Sequence, residues 1–293
     1  MQNLRLKPYL TMRNLGYLLL IAPVFVIIIL FLVDDSDDFS HVGTASYVKL
    51  SKQQSCNTNK LEGEKGATYG EQTQEGIKYN VRAPLNYDKT IAHPLLVVYA
   101  PAKANRAKSE KLTNLTYQAT SAGFIVAYAD HPELSSSSAV ELATIPKLMA
   151  KKWCIDEERI YLTGHSDGGT TSMAIAFMSG TRDIPTAIAP SAAGINYDDI
   201  SSHSCPKPIS VMVMHSRNDH LFPGYGAETS GWWAACNECS PIPKKLDNGC
   251  IAYSNCKNNV RTWYCEGDQL HAKWPDMNDV MLDFLATSKR IRD

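Results

Sequence analysis

Three things are scarce in this sequence. Net charge is the first: 29 Lys and Arg stand against 30 Asp and Glu over 293 residues, a formal charge of −1. That leaves no electrostatic footprint for nucleic acid. Gly and Pro are the second, at 17 and 15 residues, too few for a collagen-like or Pro/Gly-rich disordered chain. Long apolar runs are the third. Mean hydropathy is −0.24, which excludes a polytopic membrane protein. No internal repeat or long low-complexity tract is visible. What remains is 44% apolar and 20% charged residues, an ordinary globular composition. The length allows one large domain or two small ones.

The averages conceal a segregation. Residues 15–33 read LGYLLLIAPVFVIIILFLV, 19 residues without a charge, about the length that spans a bilayer as a helix. Arg5, Lys7 and Arg13 precede it, and Asp34, Asp35, Asp37 and Asp38 follow it. The cations belong on the cytoplasmic side, so the bulk of the chain is expected outside the cytoplasm. The reading is a cytoplasmic tail (1–14), a transmembrane signal-anchor (15–33), a tether (34–55) and a catalytic domain (56–293). A cleaved signal peptide is the rival, and secretion would follow from it. Its apolar region would be shorter and end in small residues, whereas here the run meets acids directly.

Setting aside the three cations and four acids of residues 1–38 leaves 26 charges of each sign, so the exported part is neutral. All eight cysteines lie in it. An even count in an oxidising compartment implies four disulfides. Asn114-Leu115-Thr116 is a sequon. Residues 39–75 are polar. Beyond them, apolar runs of strand length occur at Pro94–Ala100, Gly123–Ala129, Arg159–Thr163, Pro185–Ala189, Ile209–Met214 and Val260–Cys265, with an edge strand at Ile77–Ala83. Helical stretches fall near 109–121, 138–153, 168–179 and 276–290. The run Ser135–Ser138 is expected to open a helix. Apolar strands alternating with helices imply an α/β fold, a mostly parallel sheet covered on both faces. Sites in such sheets form at the carboxyl ends of the strands.

One motif carries chemistry. The strand Arg159–Thr163 runs into Gly164-His165-Ser166-Asp167-Gly168-Gly169 and then a helix. This is G-x-S-x-G in strand–turn–helix context. Glycines let strand and helix approach, and the turn exposes the serine at the helix amino end. The amide of Asp167 is then placed to stabilise an oxyanion. The bland alternative is a tight glycine turn with a capping serine. A serine hydroxyl needs a base oriented by an acid. Chain order Ser, acid, His points to Asp219, in the polar loop after Ile209–Met214, and to His271 after the last strand. His220 adjoins that acid and could hardly turn back onto the serine. Asp219 as a loop cap and His271 as a surface or core histidine are the alternatives. A second oxyanion donor belongs to the loop after Pro94–Ala100. Pro101 has no N–H, which leaves Ala102.

Residues 154–169 (CIDEERIYLTGHSDGG), 214–219 (MHSRND) and 267–275 (GDQLHAKWP) resemble the polyhydroxybutyrate depolymerase and feruloyl esterase branch of the α/β-hydrolases. The family patterns are C-V-D-x-x-R-V-Y-x-T-G-x-S-x-G-G, a hydrophobic residue before His-Gly-x-x-Asp, and G-x-G-H-x-W-P. The resemblance covers roughly residues 56–290. It implies an α/β-hydrolase fold, a Ser166–Asp219–His271 triad and no metal or organic cofactor. It also implies disulfides Cys154–Cys205 and Cys239–Cys256, with Cys236–Cys250 and Cys56–Cys265 completing the set. Ala100-Pro101 stands where the family has His-Gly, and Gln269-Leu270 where it has a glycine pair. A redox or zinc role for Cys236-Asn237-Glu238-Cys239 is a minor alternative to pairing. Trp232, Trp233 and Trp274 are candidates for an aromatic subsite or for the core.

The expectation is a membrane-tethered, exported serine esterase acting on a small-molecule or oligomeric ester. Short hydroxyacyl, acetyl and hydroxycinnamoyl esters are the candidate substrates. The membrane is met through the N-terminal helix, and neither nucleic acid nor a partner protein is implied. A serine peptidase on the same fold and a non-catalytic hydrolase-like binding protein are the alternatives.

Overall fold

The strands of the sheet centre are short apolar runs bounded by polar loops, and runs of that kind need cover on both faces. The computed structural model describes residues 41–46, 56 and 61–290. Its strands are β1 (Gly66–Gln72), β2 (Lys78–Ala83), β3 (His93–Tyr99), β4 (Ile125–Ala129), β5 (Ile155–His165), β6 (Ala187–Ser191), β7 (Ser210–Ser216), β8 (Lys244–Lys245), β9 (Ile251–Tyr253) and β10 (Thr262–Gly267). They form one sheet in the order β1-β2-β4-β3-β5-β6-β7-β10-β9-β8. The central run from β4 to β10 is parallel. Both margins are antiparallel. Every residue of β3 and β4 is buried.

The helices are α1 (Arg106–Thr113), α2 (Thr116–Ser121), α3 (Ser136–Leu142), α4 (Ile145–Lys152), α5 (Asp167–Phe177), α6 (Tyr197–Ile200), α7 (Tyr225–Cys236) and α8 (Asn278–Thr287). Alternation along each strand sends Leu95 and Val97 of β3 to one face and Leu96 and Val98 to the other. The first face packs on Met149, Met173, Trp232 and Trp233 from α4, α5 and α7. The second packs on Ala119, Met281, Phe284 and Leu285 from α2 and α8. Trp232 and Trp233 are therefore core residues. Trp274 packs beside the second cluster, with its indole N–H donated to Asn278 Oδ1.

Several boundaries differ from the sequence reading. Ile77–Ala83 is not an edge, because the polar, half-exposed β1 pairs outside β2. The stretch near 109–121 is two helices: Asn114 ends α1 in the left-handed region at φ 49°. The stretch 138–153 likewise breaks between α3 and α4, at Ala143–Thr144 just before Pro146. Ser135 is the N-cap of α3, in a capping box with Ser138. The cytoplasmic tail and the 15–33 span lie outside the described residues. Among the described residues, no helix is long and apolar enough to cross a membrane. Part of the stretch read as tether is docked on the domain. Val42 and Ala45 are buried, the Gly43 amide donates to Thr120 Oγ1 at 2.7 Å, and the Gly43 carbonyl accepts from Leu85 at 3.0 Å.

All eight cysteines are paired, as Cys56–Cys154, Cys205–Cys236, Cys239–Cys256 and Cys250–Cys265. Of the expected pairs, Cys239–Cys256 is the one observed. The expected Cys154–Cys205, Cys236–Cys250 and Cys56–Cys265 are corrected by strand register and helix packing. Ile251 of β9 lies opposite Tyr264 of β10, which sets Cys250 against Cys265. Cys205 follows α6, which packs on α7 and so meets Cys236 at its end. Cys154, directly before β5, is left for Cys56.

Candidate active site

The turn between β5 and α5 is forced by contacts that only glycine permits. A Cβ on Gly168 would lie 2.0 Å from the Tyr99 carbonyl oxygen, and one on Gly169 2.4 Å from the Ser191 carbonyl oxygen. Between Gly164 and Gly168, Ser166 adopts φ 55° and ψ −120°. That left-handed φ is strained for a residue with a Cβ. Its amide donates to Ser191 O at 2.9 Å and holds the turn on β6.

The structure brings Ser166, Asp219 and His271 together at the carboxyl edge of the sheet. The Ser166 hydroxyl donates to His271 Nε2 at 2.9 Å, and His271 Nδ1–H donates to Asp219 Oδ2 at 2.7 Å. Asp219 is 1% exposed. Its other oxygen accepts the amides of Leu221 at 2.9 Å and Phe222 at 3.0 Å. Burial opposes its charge. The bond from His271 and the two amides outweigh that and hold the carboxyl below the usual aspartate range. His215, at the end of β7, lies 3.4 Å from Asp219 Oδ2 and donates Nε2–H to Phe222 O at 2.8 Å. Burial lowers the His215 pKa, which favours the neutral ring.

The acid loop and the histidine loop are stitched to each other. Ser216 Oγ donates to Gln269 O, Asn218 Nδ2 to Asp268 O, and the Arg217 amide to Gly267 O. His165, between Gly164 and Ser166, reaches the same loop from beneath. Its Nε2–H donates to the carbonyl of His271 at 2.6 Å, and its Nδ1 accepts from Ser191 Oγ at 3.1 Å. Burial, the leading cause, lowers its pKa to about 4. The sequence reading assigns no role to His165, His215 or His131, whose Nε2 donates to Asp167 Oδ2 at 2.9 Å. Their signal was available in part: each lies within two residues of the end of a strand that feeds the site.

Of the two expected oxyanion donors, Asp167 opens α5 directly after Ser166, where helix amides are free of partners within the helix. Ala102 is exposed in a turn closed by the Ala104 amide on Pro101 O. Apolar side chains flank the acid and the base in sequence. Leu221 and Leu270 are each 60% exposed, and the Phe222 ring stands edge-on to His271 at 5.1 Å. Among the described residues no cluster of His, Cys, Asp and Glu could hold a metal ion.

No family model matches the chain. It is similar to feruloyl esterase B of Piromyces equi, at 26% identity over 221 residues. That match covers 64% of this chain and spans 41% of the length of the relative. Among solved structures, an acetyl xylan esterase from Aspergillus awamori matches with a TM-score of 0.56 at 14% identity, covering 76% of this chain and 99% of that one. S-formylglutathione hydrolase from Staphylococcus aureus matches with a TM-score of 0.55 at 12% identity, covering 75% and 99%. At such identities the likeness is one of fold, the mostly parallel α/β-hydrolase sheet.

Proposed function

We propose that this chain is a serine carboxylic-ester hydrolase. The observation that carries the reading is the continuous hydrogen-bond line from Ser166 Oγ through His271 to the buried Asp219. Ser166 Oγ attacks the ester carbonyl while His271 Nε2 takes its proton. Asp219 holds the ring in the Nδ1–H tautomer and stabilises the imidazolium. The Asp167 amide, with Ala102 as the second donor, receives the developing oxyanion. His271 then gives its proton to the leaving alcohol and activates the water that releases the acyl group.

The names of its relatives and the exposed Leu221 and Leu270 beside the acid and the base support short acyl esters as substrates: acetyl, hydroxyacyl or hydroxycinnamoyl. Export is supported by the charge pattern around residues 15–33 and by four disulfides. In this reading the 15–33 segment anchors the enzyme, with its domain outside the cytoplasm. The test is a panel of acetyl, hydroxybutyryl and feruloyl esters with matched peptides, run on wild type and Ser166→Ala. Ester turnover abolished by the substitution is expected. Peptide turnover alone, or ester turnover equal in both proteins, overturns the reading.

A further inference from the structure

Asp167 serves two demands that conflict. An acidic residue in the first turn of α5 is favourable, because the helix amino end carries partial positive charge. The same carboxylate belongs to the residue next to Ser166, close to where an oxyanion develops in the ester-hydrolase reading, on which this inference rests. Its side chain is 24% exposed, so water screens it only in part. Like charges at short range in a partly buried site raise the energy of the developing anion.

Among the described residues the carboxylate is met by one ring. His131 Nε2–H donates to Asp167 Oδ2 at 2.9 Å, and the His131 side chain is 14% exposed. His131 lies in the loop after β4, which is itself fixed. Asp130 accepts the Arg106 amide at 2.8 Å and its guanidinium at 2.9 and 3.1 Å. The Asp130 amide donates to Lys78 O at 2.9 Å. Arg106 also donates to Asn80 Oδ1 at 2.8 Å. The Arg106 charge is thus engaged by Asp130, and the loop presents His131 to Asp167 from a fixed base.

We propose that His131 is a positioning residue for the reaction: it turns the Asp167 carboxylate away from the oxyanion site and offsets its charge. This lets one residue place a favourable charge in the first turn of a helix and still flank an anion-stabilising amide.

The experiment is a double-mutant cycle of His131→Ala and Asp167→Asn, reading kcat and KM on the best ester of the panel. Asp167→Asn keeps an acceptor for His131 but removes the charge. Expected is a fall in kcat of about tenfold for His131→Ala in the wild-type background, with KM within about twofold. In the Asp167→Asn background the same substitution changes kcat less than about twofold. His131→Phe, which keeps a ring without a donor, reproduces the loss and serves if the alanine variant does not fold. His131→Gln, which keeps a donor, restores most of it. An equal tenfold loss in both backgrounds means that His131 acts on the substrate itself, and the proposal fails. No loss in the wild-type background also ends it. Ester turnover that survives Ser166→Ala is a separate outcome and overturns the ester-hydrolase reading instead.

Discussion

His165 makes stability depend on pH in a way that can be worked out beforehand. The ring is 3% exposed, and burial lowers its pKa from 6.5 to about 4, against the opposing bond to the His271 carbonyl. The folded protein therefore takes up this proton less readily than the unfolded chain. Between pH 6.5 and about 4 the unfolded chain gains a proton that the fold does not, so stability falls as pH falls through that window. A pKa gap of about 2.5 at 1.36 kcal/mol per unit amounts to about 3 kcal/mol. His165→Gln keeps a donor for the His271 carbonyl and has no proton to gain. Guanidinium unfolding of both proteins at pH 7, 6, 5 and 4 is the assay. Carboxylates such as Asp219 titrate in both and cancel in the difference. Wild type should lose about 3 kcal/mol more than the variant between pH 7 and pH 4. Stability curves that run parallel across that range refute the reasoning.

Gly168→Ala places a Cβ 2.0 Å from the Tyr99 carbonyl oxygen, a backbone atom that cannot swing aside. It should cost about 1–3 kcal/mol in denaturant unfolding and lower kcat, whereas Gly180→Ala, which meets nothing within 4 Å, should change neither. Asp219→Asn should lower kcat by about 10⁴ with the fold intact, because the Nδ1–H tautomer of His271 loses its carboxylate, as steady-state kinetics would report. Non-reducing peptide mapping should find Cys250 joined to Cys265 and Cys56 joined to Cys154. Removing Cys56–Cys154, which closes 98 residues, should cost about 2 kcal/mol more than removing Cys250–Cys265, which closes 15.

The sheet centre was legible because β3, β4, the second half of β5 and most of β7 are mainly apolar runs buried on both faces. Ser166 was legible through its glycines, and Asp219 and His271 through chain order, their places after strands and the resemblance of their loops to a known family. The margins were not. β1 is half-exposed, β8 is two lysines, and neither leaves an apolar period to read. α7 lies against the core with Gly226 and Gly231 inside it, so its tryptophans look like an aromatic motif rather than one face of a helix. Disulfide partners depend on register and on helix packing, which sequence separation does not encode. The same holds for His131, His165 and His215. Each is an unremarkable residue beside a strand end until the loops it bridges are brought together in space.

The central claim is that Ser166 is a nucleophile activated by His271. Its most direct test is reaction of the intact protein with a fluorophosphonate, followed by mass spectrometry of the labelled peptide. The account predicts one adduct, on Ser166, lost in Ser166→Ala and slowed by orders of magnitude in His271→Ala. An unlabelled wild type, or an adduct on any other residue that survives Ser166→Ala, would contradict it.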